Sequence, residues 1–231
     1  MVGIKFISKS IDDAIIKCSD GASLSRPLRK SLKGFAEEYG KLTDHEELSI
    51  FDSDGNLITH SVGKGHSVDV DDDKLRDDGY TNLHITHNHP TLFQDNVPTY
   101  LSENDMESFA FEEMYKSISA VSPNGTSMTL IKNDNYQTEF DESKVWNSML
   151  DLHDSCQSYY DLYEDRVIEY MTNKAIEYQD NHPGQFIKAS TFREEATKNV
   201  LEQMGTMEEY LKKKGVYDSL ESVNVKLRIN I

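Results

Sequence analysis

Long apolar runs are missing from this chain of 231 residues. No stretch approaches the ~18 consecutive apolar residues that a membrane-spanning helix requires. Charge also enters MVGIKFISKSIDD too early for the apolar segment of a secretory leader. Cysteine is scarce: Cys18 and Cys156 lie far apart and form no Cys-x-x-Cys pattern, so neither a thiolate metal motif nor a redox pair is indicated. They read as ordinary thiols of a reducing compartment, and the expectation is a cytoplasmic protein. Positive charge is the third shortage. Only 24 Lys and Arg stand against 41 Asp and Glu, a formal charge of −17. Such a surface repels a phosphate backbone, and the densest basic run, Lys212-Lys213-Lys214, reads as the last turn of a helix. Direct nucleic-acid binding is therefore disfavoured. The plain meaning of the acidity is a solvated surface; the sharper one is a nucleic-acid mimic that blocks a basic partner.

What is present divides into two stretches, residues 1–140 and 141–231. The first reads as mixed α/β. Gly3–Ser8 suggests a short strand, and a helix is expected from Ser25, with Pro27 in its first turn and Leu28, Leu32, Phe35 and Tyr39 on one stripe. Strands are predicted at Glu47–Phe51 and Leu57–Val62 around the turn Asp52-Ser53-Asp54-Gly55-Asn56. A third is predicted at His66–Val70, followed by an acidic loop, Asp71-Asp72-Asp73. Leu83–His87 reads as a strand, a helix of about three turns is expected from Ser102, and Ser117–Ser122 and Ser127–Lys132 flank a Pro123-Asn124-Gly125 turn.

The second stretch is helical. Apolar residues at 145, 149, 152, 156, 159, 163, 167, 170 and 178 keep the three-four spacing of one helix face. Asn181-His182-Pro183-Gly184 breaks that helix. Thr191 and Glu194 suggest a capping box for a second helix that Gly215 ends. The two read as a helical hairpin packed on the first domain or on a protein partner. The alternation of Val223–Ile231 predicts a terminal half-buried strand at a sheet edge.

The specific chemistry lies in His87-Asn88-His89-Pro90 and Ser102-Glu103-Asn104-Asp105. Histidines at i and i+2 on a strand point the same way, so both imidazoles can reach one ion. Two histidines and a carboxylate leave a fourth zinc position open for water, the layout of a catalytic rather than a closed structural site. A lone His-x-His is weak evidence in a chain with eight histidines, and Ser102-x-x-Asp105 has the form of a helix N-cap and its box partner. The two readings are compatible, because a capped helix can present Asp105 to a metal.

These two strings resemble the JAMM (JAB1/MPN+) metalloprotease motif, and HNHP is the form of its prokaryotic RadC-like branch. The resemblance implies a JAB/MPN-like mixed sheet flanked by helices, with His87, His89 and Asp105 as zinc ligands. It implies that Ser102 stabilises a tetrahedral intermediate and that an upstream Glu serves as general base. Glu46-Glu47 supplies that Glu twice. Adjacent strand residues face opposite ways, so only one can serve. Glu46 is preferred because Ser49 gives it the small residue that family members often carry three positions later. The chain departs from the family in two places. Fifteen residues separate His89 from Asp105, more than the family has, so Thr91–Leu101 forms an insertion containing Asp95, a rival ligand. Leu101 also stands where the family often has proline. The resemblance covers about residues 34–132.

Of the remaining candidates, His84 should face away from His87 as a packed or edge histidine, and Gly63-Lys64-Gly65 reads as a hairpin loop between His60 and His66. Tyr159, Tyr163, Tyr170 and Tyr178 read as core or partner surface. The functional expectation is a zinc-dependent hydrolase cleaving a peptide or isopeptide bond, with a protein or peptide as substrate. The alternative is a non-catalytic acidic binding or inhibitor protein on the same fold.

Overall fold

The computed structural model describes residues 24–42, 44–64, 67–90, 99–137 and 139–230. The expected strand Gly3–Ser8, Cys18, His66 and Asp95 lie outside them. Helix α1 (Arg26–Glu38) is N-capped by Ser25 Oγ, which accepts from Leu28 N, and its stripe of Leu28, Leu32, Phe35 and Ala36 is buried. Strands β1 (Glu47–Phe51) and β2 (Leu57–Val62) form the expected hairpin. In its turn the Asp52 carboxylate accepts from the amides of Asp54 and Asn56. Gly55 sits there at φ +82, and a Cβ on it would stand 2.6 Å from Leu28 N, so the turn that meets α1 requires glycine.

Two expectations fail between β2 and the next strand. Residues 67–70 form no strand: Lys64 N donates to Ser67 O, and Val68 and Val70 pack against the core from a loop. The acidic run is not merely a loop. Asp71 caps a short helix, α2 (Asp72–Asp77), accepting from Lys74 N, and acidic groups in a first helical turn suit the positive end of the helix dipole.

Strand β3 (Leu83–Asn88) is followed by α3 (Glu103–Phe111), β4 (Tyr115–Val121) and β5 (Ser127–Lys132). The order across the sheet is β2-β1-β3-β4-β5-β6, the last strand being Val225–Asn230. Among the described strands only β3 and β4 pair in parallel, and α3 lies in their connection. The mixed α/β class is therefore as expected, and β6 pairs with β5 as the edge strand the alternation predicts.

Alternation along β1 divides the packing. Leu48 and Ile50 enter the main core, whereas Phe51 joins Leu24, Leu28, Leu32 and Phe35 in a smaller cluster beneath α1. The main core lies between the sheet and the later helices. Helix α4 (Glu142–Asn181) has 40 residues and so runs about 60 Å. Val145, Met149, Leu152, Cys156, Tyr159, Tyr163, Val167 and Met171 are its buried face, while Tyr170 and Tyr178 are only partly covered. The single second helix is a correction. A short 3-10 turn (Ala189–Phe192) leads into α5 (Arg193–Met204), whose N-cap, Phe192, makes no side-chain bond, so Thr191 and Glu194 form no box. Gly205, at φ +75, stops α5, and the Thr206–Glu209 capping box starts α6 (Met207–Lys213). Gly215, at φ +76, then precedes α7 (Val216–Ser222). No helix among the described residues is long and apolar enough to cross a membrane.

Candidate metal centre

The end of β3 delivers both histidines. His87 pairs with Leu48 on one side and Ala120 on the other, and His89 N donates to Val121 O at 2.8 Å, so the extended backbone continues one residue past the strand. Pro90 has no amide hydrogen to extend the ladder further. His87 and His89 therefore project from the same face, and their Nε2 atoms stand 2.9 Å apart. Asn88 projects from the other.

Asp105 arrives from α3. Ser102 is the N-cap, and the capping box is complete: Asp105 N donates to Ser102 Oγ at 3.1 Å, and Ser102 N donates to Asp105 Oδ2 at 2.8 Å. Ser102 Oγ also donates to Oδ2, at 2.7 Å. The box holds the carboxylate at the start of the helix, where the dipole favours its charge. Asp105 Oδ1 lies 3.3 Å from His87 Nε2, and Oδ2 lies 3.4 Å from His89 Nε2. One ligand atom from each of the three lies within 4.8 Å of the other two, so the group could hold a metal ion.

The electrostatics agree with that geometry. Burial opposes a charged His87, but the Asp105 charge and hydrogen bond, with the charge of Glu46, outweigh it and raise the pKa. Burial opposes a charged Asp105 as well, and the two imidazoles hold it well below the usual carboxylate range. The site is thus arranged to keep an anion beside two imidazole nitrogens. Two Nε2 lone pairs cannot face each other at 2.9 Å without a proton or a cation between them. His89 Nδ1 is 3.2 Å from Thr99 Oγ1; donation there leaves the Nε2 lone pair facing Asp105 and His87. Thr99 is fixed in turn, its amide donating to Thr126 Oγ1. His87 Nδ1 is buried with no hydrogen-bond partner among the described residues.

Glu46 and Glu47 are separated by the strand. Glu46 is buried and lines the same cavity as His87, His89, Ser102 and Asp105. Glu47 faces away: its Oε1 is 2.9 Å from His45 Nε2 and its Oε2 is 2.8 Å from His60 Nε2. The cavity, about 730 Å³, has a size suited to a small molecule or a short peptide segment. Leu48, Ile85 and Ile118 form an apolar floor; Val68 and Val70 form a wall, which accounts for the valines of the missing strand. Asp72, which accepts from Tyr115 OH, also lines it. Among the described lining residues there is no Lys or Arg.

His84 is a packed histidine, as expected. It is buried on the opposite face of β3, with Nδ1 2.7 Å from Ser117 Oγ, and burial lowers its pKa to about 4. The sequence did not mark Thr99, ten positions after His89 in the insertion, and it gave no reason to single out Asn88. Compared with protein-family models, with curated proteins and with solved structures, the chain matches none.

Proposed function

We propose that the chain is a zinc-dependent hydrolase that cleaves an amide bond, peptide or isopeptide, in a protein or peptide substrate. The supporting observation is convergence: His87, His89 and Asp105 come together in the lining of a cavity that Glu46 and Ser102 also line. Ligands ~2.0–2.1 Å from a tetrahedral zinc stand roughly 3.3 Å apart. The two nitrogen–oxygen separations, 3.3 and 3.4 Å, fit that spacing, and the histidine pair is somewhat tighter. Two neutral imidazoles and one carboxylate leave a net positive ion and an open position, as in catalytic rather than structural centres.

When bound, zinc supplies Lewis acidity: it acidifies a water and polarises the carbonyl under attack. The protein does the proton transfers. Glu46 takes a proton from water as the water oxygen bonds to the carbonyl carbon, and delivers it to the departing nitrogen as the C–N bond breaks. The products are a carboxylic acid and an amine. Asp105 is held still by Ser102, whose hydroxyl hydrogen is engaged with Oδ2. Service to an oxyanion requires that hydrogen to turn toward the carbonyl oxygen. These roles match those that the JAMM resemblance implies, and removal of a ubiquitin-like modifier is one amide cleavage within this class.

The test is a panel of fluorogenic peptide and isopeptide substrates offered to the zinc-loaded chain and to Glu46→Gln. Hydrolysis by the first, lost in the second with zinc retained, is the expected result. No turnover on any substrate by a chain that holds zinc would favour the acidic binding protein instead.

A further inference from the structure

We propose that Asn88 is the positioning residue for Glu46; this deepens the hydrolase reading and rests on it. Asn88 is wholly buried and faces away from the cavity, between two histidines that face into it. Its side-chain amide is spent on the chain around Glu46. Oδ1 accepts from Glu47 N at 2.6 Å, and Nδ2 donates to His45 O at 3.0 Å and to Leu42 O at 3.5 Å.

His45 O belongs to the peptide that enters Glu46, and Glu47 N to the peptide that leaves it. A single planar amide therefore holds both peptides whose rotation sets the direction of the Glu46 side chain. Glu46 O is held separately, accepting from Gly63 N at 2.7 Å. The place is one where the ladder has ended. Pairing of β1 with β3 begins at Leu48 and His87, and one position further Asn88 supplies by side chain the donor and acceptor that a strand backbone would supply.

The position needs one acceptor and one donor at a fixed separation. Asparagine has both, aspartate only accepts, and leucine has neither. Alternation then couples the two halves of the site: the tripeptide that sends two imidazoles to one face sends the clamp for the base to the other. A base works only within hydrogen-bond reach of the proton it takes, so a slip of ~1 Å in β1 can cost roughly a hundredfold in turnover.

The experiment uses the full zinc-loaded chain as wild type, Asn88→Ala, Asn88→Asp and Glu46→Gln, with Asn88→Ala also combined with Glu46→Gln. Metal content, backbone amide exchange, kcat and KM are read. Expected for Asn88→Ala are retained zinc, roughly tenfold faster exchange confined to the Glu47 amide and its neighbours, and kcat lower by roughly a hundredfold at similar KM. Asn88→Asp, which keeps the acceptor, should fall between. In the Glu46→Gln background the same change should cost nothing further, because it acts through the missing carboxylate. Unchanged protection at Glu47, or an equal loss in both backgrounds, overturns the proposal. Should Asn88→Ala fail to fold, Asn88→Asp carries the same cycle. Should the wild type hydrolyse nothing, the hydrolase reading fails by itself, and exchange at Glu47 alone decides whether Asn88 holds this segment.

Discussion

The two faces of the β1–β3 pair carry the same kinds of side chain and use them in opposite ways. On the outer face the Glu47 carboxylate lies between two imidazoles, His45 and His60. The second nitrogen of His60 is 2.9 Å from Ser49 Oγ, and that of His45 is 2.9 Å from Asp44 Oδ1. The hydrogen bond that Glu47 accepts is the largest influence on His45; with Asp44 it outweighs burial and raises the pKa. Each imidazole nitrogen there has an oxygen within 2.9 Å, although Glu47 Oε2, buried beside His60, makes no hydrogen bond of good geometry. On the inner face two nitrogens face each other across 2.9 Å beside a carboxylate, in the lining of a cavity. What separates the two clusters is the direction of the lone pairs, nitrogen toward oxygen on one face and nitrogen toward nitrogen on the other, and along these strands one residue of register decides which face a side chain takes.

Removal of the ligands should show the largest contrast. His87→Ala with His89→Ala should take zinc content from about one ion per chain to none, while His45→Ala with His60→Ala leaves it unchanged. Elemental analysis of the purified proteins reads the difference; equal loss in both pairs would dissolve the distinction between the faces. Next in size is the base. Glu46→Gln should lower kcat by roughly 10²–10⁴-fold with metal retained, whereas Glu47→Gln stays within an order of magnitude of wild type. If Glu47→Gln were the silent enzyme, the strand would have to be turned over in solution.

A smaller effect belongs to the capping box. Ser102→Ala removes the hydroxyl that binds Asp105 N and Oδ2, and should cost about 0.5–2 kcal/mol in denaturant unfolding together with weaker zinc binding. Stability lost without weaker metal binding would mean that the box serves the helix alone. The smallest effect concerns the outward-facing His84. Its folded pKa is about 4 against an ordinary value of 6.5. Between those pH values the unfolded chain takes up a proton that the folded chain refuses, so this group costs stability as pH falls from 6.5 to 4 and nothing further below. His84→Asn should flatten the acid side of the stability profile by at most ~1.4 kcal/mol per pH unit in that window. An unchanged slope would show that His84 is protonated in the fold.

Much of the site was legible because its signals are local. His87 and His89 share a strand face by spacing alone, and Ser102 and Asp105 share a helix start by the capping pattern. Alternation restricted the base to one of two neighbours without saying which faced inward; the pairing of Leu48 with His87 does that. Thr99 was not legible, since its approach to His89 depends on how an insertion folds. The C-terminal helices were misdivided for a different reason. Gly205-Thr206-x-x-Glu209 carries both a stop and a start, but the Thr191–Glu194 pattern has the same form and comes first. Only packing distinguishes the pattern that caps from the one that does not. The acidic run at Asp71–Asp73 likewise has the composition of a loop, yet Asp71 begins a helix once its carboxylate finds the Lys74 amide.

The most direct measurement is a crystal structure of the zinc-supplemented chain with anomalous diffraction recorded on both sides of the zinc edge. One strong peak is expected ~2.0–2.1 Å from His87 Nε2, His89 Nε2 and an Asp105 oxygen, with the Glu46 carboxylate facing it across the cavity. A peak on the outer face among His45, Glu47 and His60, or no peak at either face, would contradict it.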